Sequence, residues 1–178
     1  SEKRERFIEQ YSIPDYDAAI ITSTKPLAMY YEEAVRLFSE PKTVSNWTMG
    51  ELLRELKHDD REIDQCPVTP QHLARMLSMM KEGTISGKIA KDVFEEMYRT
   101  GERPEKIVQD KGWVQILDER EIDQAIEKAI EANPKQVEDY RKGKEKLFGF
   151  FVGEVMKQTK GKANPKLVNE LLKKKLNG

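Results

Sequence analysis

TPQHLARMLSMMKEGTISGKIAKDVFEEMYRTG, residues Thr69 to Gly101, carries two complete sets of helix start and stop signals. Thr69-Pro70 reads as an N-cap followed by a first-turn proline, and the apolar residues behind it share one face of a helix. Gly83 can end that helix in a left-handed conformation. Ser86 then starts a second amphipathic helix, which Gly101 closes. The stretch therefore predicts two consecutive helices.

Similar helix start and stop signals recur along the rest of the chain. Pro26 is predicted to open a helix, and several N-terminal caps follow the known patterns of a capping box or a cap before proline. These caps are Thr48 with Glu51, Asp118 with Glu121, Asn133-Pro134 and Asn164-Pro165. No convincing pair of strands can be read from the sequence. The fold class is predicted to be all-α.

A boundary between two domains is predicted near Leu117/Asp118. Residues 1–117 would form a helical domain, and residues 118–178 a small tail domain of three to four helices. A unit of about 60 residues can fold alone if its helices share one core.

The composition excludes several classes of protein. The chain is 35% charged and 38% hydrophobic, and no apolar run approaches the roughly 20 residues that a membrane span needs. Cys66 is the single cysteine, so an internal disulfide is impossible and a reducing, cytoplasmic location is expected. The chain opens at Ser1 in the middle of a helical pattern, which predicts a fragment with a missing upstream part.

No active site can be read from the sequence. Phosphate-binding, dinucleotide-binding and nucleophile-elbow motifs are missing from it. His58, Cys66 and His72 match no zinc-ligand spacing. We therefore predict neither a catalytic residue nor a metal ligand, and we interpret Trp47 and Trp113 as core residues.

The charges are distributed unevenly along the chain. Residues 141–178 contain 11 Lys or Arg against 3 acids, whereas the preceding residues contain 20 bases and 29 acids. This asymmetry points to an anionic partner for the C-terminal end, with a solvated lysine-rich tail as the alternative.

The helix predicted over residues 144–160 has two glycines on its polar side. At 100° per residue its apolar side chains fall on one face, and Gly149 and Gly153 fall on the other. Lys146, Lys157 and Lys160 flank the glycines, and Phe150 lies at their edge. This glycine strip, a helix face without side chains, could receive either a phosphate backbone or the backbone of a second helix. The pattern of this helix does not decide between the two.

The following turn favours the phosphate. In KGKANPK, residues 160–166, Asn164 is predicted to cap a helix whose free N–H groups and positive dipole end face the strip. Lys160, Lys162 and Lys166 surround that end, and Gly161 allows a tight turn. A bound phosphate would satisfy both the donors and the clustered charge.

These residues also carry a family resemblance that covers essentially the whole chain. GKEKLFGFFVGEVMKQTKGKANPKLVNELL resembles the C-terminal signature of the B subunits of aspartyl/glutamyl-tRNA amidotransferases, with their YqeY-like tail domain. YSIPDYDAAIIT, SNWTMGELL, MKEGTISGKIAKDVFEEM and NPKQVEDYRKGK agree with it. Glu154 departs from the glutamine, and Arg120 from the glycine, that are common in the family.

The resemblance implies a function for the chain. Such enzymes are ligases of translation that amidate Glu-tRNA(Gln), and in many organisms Asp-tRNA(Asn), with ATP, magnesium and ammonia. The A subunit would supply ammonia and the C subunit would brace the assembly. The ATP- and magnesium-dependent step would belong to an N-terminal domain that precedes this chain, so the chain itself would need no cofactor and act as a monomeric, non-catalytic tRNA-docking part.

The predicted tRNA-binding residues combine the helix and turn arguments with the family motif. They are Lys142, Lys144, Lys146, Gly149, Phe150, Gly153, Lys157, Lys160, Gly161, Lys162, Asn164 and Lys166. Recognition by shape is expected, because no base-specific reader stands out. The alternative function is a helical adaptor that receives another subunit on the Gly149/Gly153 strip.

Overall fold

The computed structural model of this chain describes residues 1–114 and 118–178. These residues contain α-helices, one π-helical turn and one 3₁₀ turn but no β-strand, so the all-α prediction is confirmed. They form two compact units, Ser1–Lys81 with Gly87–Gly112, and Glu82–Ser86 with Trp113–Gly178. The predicted boundary at Leu117/Asp118 stays a prediction, because Leu117 lies outside the described residues.

The helices within residues 1–114 are mostly short. Their bounds are α1 Glu2–Tyr11, α2 Asp15–Ile21, α3 Lys25–Leu37, α4 Pro41–Trp47, α5 Leu53–His58, α6 Pro70–Glu82, α7 Gly87–Thr100 and α8 Pro104–Lys111. Their core is aromatic and aliphatic. Its largest fully buried side chains are Phe7, Ile21, Tyr31, Leu52, Leu73, Met76, Leu77, Phe94 and Met97.

The predicted cap at Thr69 forms, and the helix that Pro26 was predicted to open has its cap at Thr24. The Thr69 hydroxyl oxygen accepts the His72 N–H at 3.1 Å, and the Thr24 hydroxyl oxygen accepts the Leu27 N–H at 3.3 Å. Pro70 directly follows Thr69 as predicted, and Pro26 lies in the first turn of α3, two residues after Thr24. Trp47 is also a core residue, as predicted, with its ring centroid 6.0 Å from that of Phe94.

The capping box predicted at Thr48 and Glu51 is wrong. Thr48 is fully buried, and its hydroxyl donates to the Val44 carbonyl oxygen at 2.7 Å. The chain passes from α4 into α5 through a π-helical turn, Thr48–Leu52, without a break. Burial of Trp47 and Leu52 on either side of Thr48 favours this continuous helix over the local capping signal.

The C-terminal helices share one small core. Their bounds are α9 Glu119–Ala132, α10 Pro134–Arg141, α11 Leu147–Gln158 and α12 Pro165–Asn177. Ile122 and Ile126 of α9, Phe151 of α11 and Leu172 of α12 are fully buried in it. Asp118 caps α9, because its carboxylate accepts the Arg120 N–H at 2.9 Å. The predicted capping box is incomplete, since the Glu121 side chain makes no bond back to the Asp118 N–H among the described residues.

The predicted side-chain cap at Asn133 is wrong. Its side-chain amide donates to the Ala129 carbonyl oxygen at 2.8 Å and so closes the end of α9. Asn133 makes no side-chain cap bond to α10. A residue between two helices can bond to the end of the first or to the start of the second. Here the Asn133 side chain bonds to a carbonyl at the end of α9.

Candidate nucleic-acid interface

Helix α11 turns its two glycines to solvent, as the sequence predicts. Phe151 and Val155 on the opposite side are fully buried, whereas Gly149 and Gly153 are exposed. A Cβ built on either glycine would have no heavy atom within 4 Å, apart from its chain neighbours and its own helix backbone. The described part of the chain therefore leaves this strip open, and no helix of this unit packs on it.

The apolar side chains at the borders of the strip hold α11 in place. Phe150 is partly buried and packs edge-to-face on Phe151, with ring centroids 5.3 Å apart. Val152 and Met156 are also partly buried against the core of the tail. The glycine strip therefore lies on a helix packed against the core of the tail, with one half-exposed ring at its edge.

Five lysines of the predicted site have no carboxylate within ion-pair distance among the described residues. They are Lys146, Lys157, Lys160, Lys162 and Lys166. Lys146 precedes α11 and Lys157 lies in its last turn, so they share a helical face about 16 Å apart along the axis. These unpaired cations border the strip at both ends, and a chain of phosphates could bind them without breaking an ion pair.

Lys142 and Lys144 of the predicted site have acidic partners. The Lys142 ammonium lies 2.7 Å from the Glu138 carboxylate, and the Lys144 ammonium lies 3.9 Å from that of Asp139. A phosphate that binds either lysine must compete with a carboxylate already in place. Neither pair was predicted from the sequence, although the i,i+4 spacing of Glu138 and Lys142 indicates one of them.

The turn after α11 has a defined hydrogen-bonded form. The Gly161 N–H donates to the Met156 carbonyl oxygen at 2.8 Å, and the Lys160 N–H donates to the Lys157 carbonyl oxygen at 3.1 Å. This pattern is a Schellman motif, with left-handed φ values of 55° at Lys160 and 73° at Gly161. The motif fixes the direction in which the chain leaves the strip.

The predicted free N–H groups at the start of α12 are not free. The Asn164 side-chain oxygen accepts the Lys166 N–H at 2.9 Å and the Leu167 N–H at 3.3 Å. The Val168 N–H donates to the Asn164 carbonyl oxygen at 2.9 Å, and Pro165 has no N–H. The cap predicted at Asn164 is confirmed, but it uses the donors that were expected to hold an anion. Only the dipole and the lysines remain to attract one.

Three further findings concern metal binding, membrane insertion and thiol chemistry among the described residues. In the part of the chain that the structure describes, no three His, Cys, Asp or Glu side chains are grouped so that they could hold a metal ion. No described helix is both long and apolar enough to cross a bilayer. Burial raises the pKa of the Cys66 thiol to about 11, which makes it a poor nucleophile at neutral pH.

Comparison with known proteins places the chain in one family. A family described as the GatB domain matches residues 29–176. The B subunit of the aspartyl/glutamyl-tRNA(Asn/Gln) amidotransferase of Geobacter sp. (strain M21) is 55% identical over 177 residues, or 99% of this chain and 37% of the relative. The B subunits of the same name from Carboxydothermus hydrogenoformans and Thermotoga petrophila are also similar to this chain.

The Carboxydothermus protein is 53% identical over 174 residues, which cover 98% of this chain and 36% of that relative. The Thermotoga protein is 51% identical over 177 residues, which cover 99% of this chain and 37% of that relative. The chain thus spans little more than a third of the length of these curated relatives.

Proposed function

Because this chain belongs to the GatB family of amidotransferase B subunits, we propose that it docks the body of a tRNA for amidation. The amidation itself would take place in the part of the parent protein that this chain does not span. There ATP and magnesium would activate the misacylated 3′ end of tRNA(Gln), tRNA(Asn) or both. The A and C subunits of the amidotransferase are the proposed protein partners.

The surface that supports this proposal is the open glycine strip of α11 with its unpaired lysines. Glycine inside a helix costs about 0.5–1 kcal/mol relative to alanine, and among the described residues neither Gly149 nor Gly153 makes a close contact or has a positive φ that would explain it. A helix face without side chains, bordered by cations, allows a sugar–phosphate chain to approach closely. The same strip could receive a helix of another subunit, which keeps the adaptor as the second candidate.

Salt dependence of tRNA binding tests the proposal. Contacts with about four to six phosphates predict a slope of log affinity against log salt of roughly −3 to −5. Changing Lys157, Lys160 and Lys162 to glutamate should weaken binding while the circular dichroism spectrum stays helical. Lys173 and Lys174 are exposed on α12 and have no ion-pair partner among the described residues, so K173E/K174E is a control for charge alone.

The outcomes separate the two candidates. A flat salt dependence, or equal losses in the site variant and the control variant, would contradict docking on the strip. Stoichiometric crosslinking of the A or C subunit to residues 149–153 in the absence of RNA would favour the adaptor.

A further inference from the structure

Glu154 is the single acidic residue in the stretch of sequence that forms the candidate interface. Between Lys146 and Asn169 the chain has five lysines and this one carboxylate. Glu154 directly follows Gly153 in α11, so it lies beside the glycine strip. The residue is half-buried, and its carboxylate has no hydrogen bond or ion pair within the described parts of the chain. A carboxylate here weakens the attraction of the surface for phosphates, which calls for a compensating role.

The carboxylate does not pair with the lysine nearest to it along the helix. Lys157 is three residues further along α11, a spacing at which opposite charges on a helix can pair. Glu154 and Lys157 nevertheless form no ion pair in the described structure, whereas the Glu138 carboxylate and the Lys142 ammonium of the same unit lie 2.7 Å apart. The border of the strip therefore offers a ligand both an anionic acceptor and a cation.

The chemistry of a carboxylate limits which part of a polyanion can bind it. An ionised carboxylate only accepts hydrogen bonds, and it repels phosphate oxygens. The backbone of DNA has phosphates but no hydrogen-bond donor on its sugars. The backbone of RNA has the same phosphates and a 2′-hydroxyl group on each ribose, which can donate. A hydrogen bond from a hydroxyl to a carboxylate is charge-assisted and roughly twice as strong as a neutral one.

Phe150 lies on the same edge of the strip as Glu154. The two residues are four positions apart in α11, so their side chains are about one helical turn from each other. The Phe150 ring is partly exposed and packs edge-to-face on the buried Phe151 ring. A ribose that packs on the Phe150 ring, with its phosphates on the lysines, can therefore place its 2′-hydroxyl group near the Glu154 carboxylate.

We propose that Glu154 accepts a hydrogen bond from a ribose 2′-hydroxyl group and so makes the strip selective for RNA over other polyanions. The proposal rests on the tRNA-docking function proposed above and assigns one residue of that surface a role in specificity. Repulsion by the carboxylate disfavours every phosphate backbone, and the 2′-hydroxyl group of RNA alone returns a hydrogen bond for it. Glu154 thus acts against the lysines for DNA and together with them for RNA.

A sugar substitution that keeps the shape of RNA tests this role. 2′-Fluoro nucleotides retain the sugar pucker of A-form RNA and lack the 2′-hydroxyl donor. We expect the parent chain to bind a tRNA transcript more tightly than its 2′-fluoro counterpart. Glu154→Ala removes the acceptor, so the affinity ratio of the two RNAs should be roughly tenfold smaller in this variant than in the parent. Glu154→Gln keeps a neutral acceptor and should bind both RNAs more tightly while retaining part of the preference for the ribose form.

Glu170 provides the matched control. It is an exposed carboxylate of α12 without an ion-pair partner among the described residues. Glu170→Ala removes the same charge from the same unit, and the affinity ratio of the two RNAs should stay that of the parent. Circular dichroism checks that each variant folds, and the nearly isosteric Glu154→Gln keeps the test decisive if Glu154→Ala is unfolded.

The outcomes separate this proposal from the docking function. An equal affinity ratio in the parent and in Glu154→Ala, with binding still lost in K157E/K160E/K162E, would overturn the role of Glu154 and leave tRNA docking standing. Absence of salt-sensitive tRNA binding by the parent chain would instead overturn the docking function itself. A carbodiimide crosslink from Glu154 to a lysine of the A or C subunit without RNA would assign the carboxylate to a protein partner and overturn the contact with ribose.

Discussion

The Gly161 N–H donates to the Met156 carbonyl oxygen at 2.8 Å, and the turn closed by this bond holds Lys160 at a φ of 55°. Glycine is the residue that usually occupies this left-handed position of a Schellman motif. A side chain there costs about 1 kcal/mol. The positive charge of Lys160 therefore stands at a position where the fold alone would favour glycine.

Replacing Lys160 with glycine should separate folding from binding. We expect the free energy of unfolding to rise by about 0.5–1 kcal/mol, because the left-handed strain is relieved. Affinity for tRNA should fall, because one unpaired cation is lost. Urea unfolding and tRNA titration measure the two effects. Lys160→Ala is the matched control, since it removes the charge and keeps the strain, and unchanged tRNA affinity in both variants would exclude Lys160 from the interface.

Alanine at the two strip glycines should stabilise the tail and weaken RNA binding. A Cβ at Gly149 or Gly153 meets nothing in the described fold, so each substitution should add about 0.5–1 kcal/mol to helix stability. The same methyl groups would hold an RNA backbone away from the helix. Thermal unfolding measures the gain in stability, and salt-dependent titration measures the loss of tRNA affinity. A double variant that is more stable and binds tRNA as well as the parent would show that close approach to the strip is unnecessary.

Asn164 allows the cap and the local charge to be tested apart. Asn164→Ala should lower the free energy of unfolding by about 1 kcal/mol, because the Lys166 and Leu167 N–H groups lose their acceptor. Asn164→Asp should keep the cap but place a negative charge among the lysines. We therefore expect the aspartate variant to fold like the parent and to bind tRNA more weakly. Equal tRNA affinity for the aspartate variant and the parent would place the RNA elsewhere.

Paired and unpaired lysines should differ in their contribution to the salt slope. Replacing both Lys146 and Lys157 with alanine should reduce the magnitude of the salt slope by about two, since each substitution removes one phosphate contact. Lys142→Ala with Lys144→Ala should reduce it by less than one, because those ammonium groups already have the Glu138 and Asp139 carboxylates as partners. Titrations at several salt concentrations provide both values. A reversed order would show that the ion pairs do not limit phosphate binding.

Cys66 should react slowly at neutral pH. Burial disfavours the charged thiolate and raises the pKa of Cys66 to about 11, so the thiol is protonated at pH 8 and ionises as the pH approaches 11. Alkylation by iodoacetamide in the folded chain should therefore be much slower at pH 8 than in the chain unfolded in guanidinium. Equal rates at pH 8 would contradict the burial that raises this pKa.

Local signals were sufficient for the fold class and for the side of α11 that faces the core. The spacing of Phe151 and Val155 reflects the helical period, and Asn164 before Pro165 describes a cap that needs no distant residue. The same reasoning failed where one signal had two uses. Thr48 bonds back to Val44 within a longer helix, and Asn133 closes α9, because burial and an unsatisfied carbonyl outweighed the capping pattern.

The sequence alone thus established helices, their buried faces, and a glycine strip among lysines, because each of these depends on residues within a few positions of one another. Folding decided which of those groups remain available. It paired Lys144 with Asp139 and used the amide donors of α12 on Asn164. Availability depends on which surfaces and partners the folded chain brings together, and helical periodicity carries no information about that.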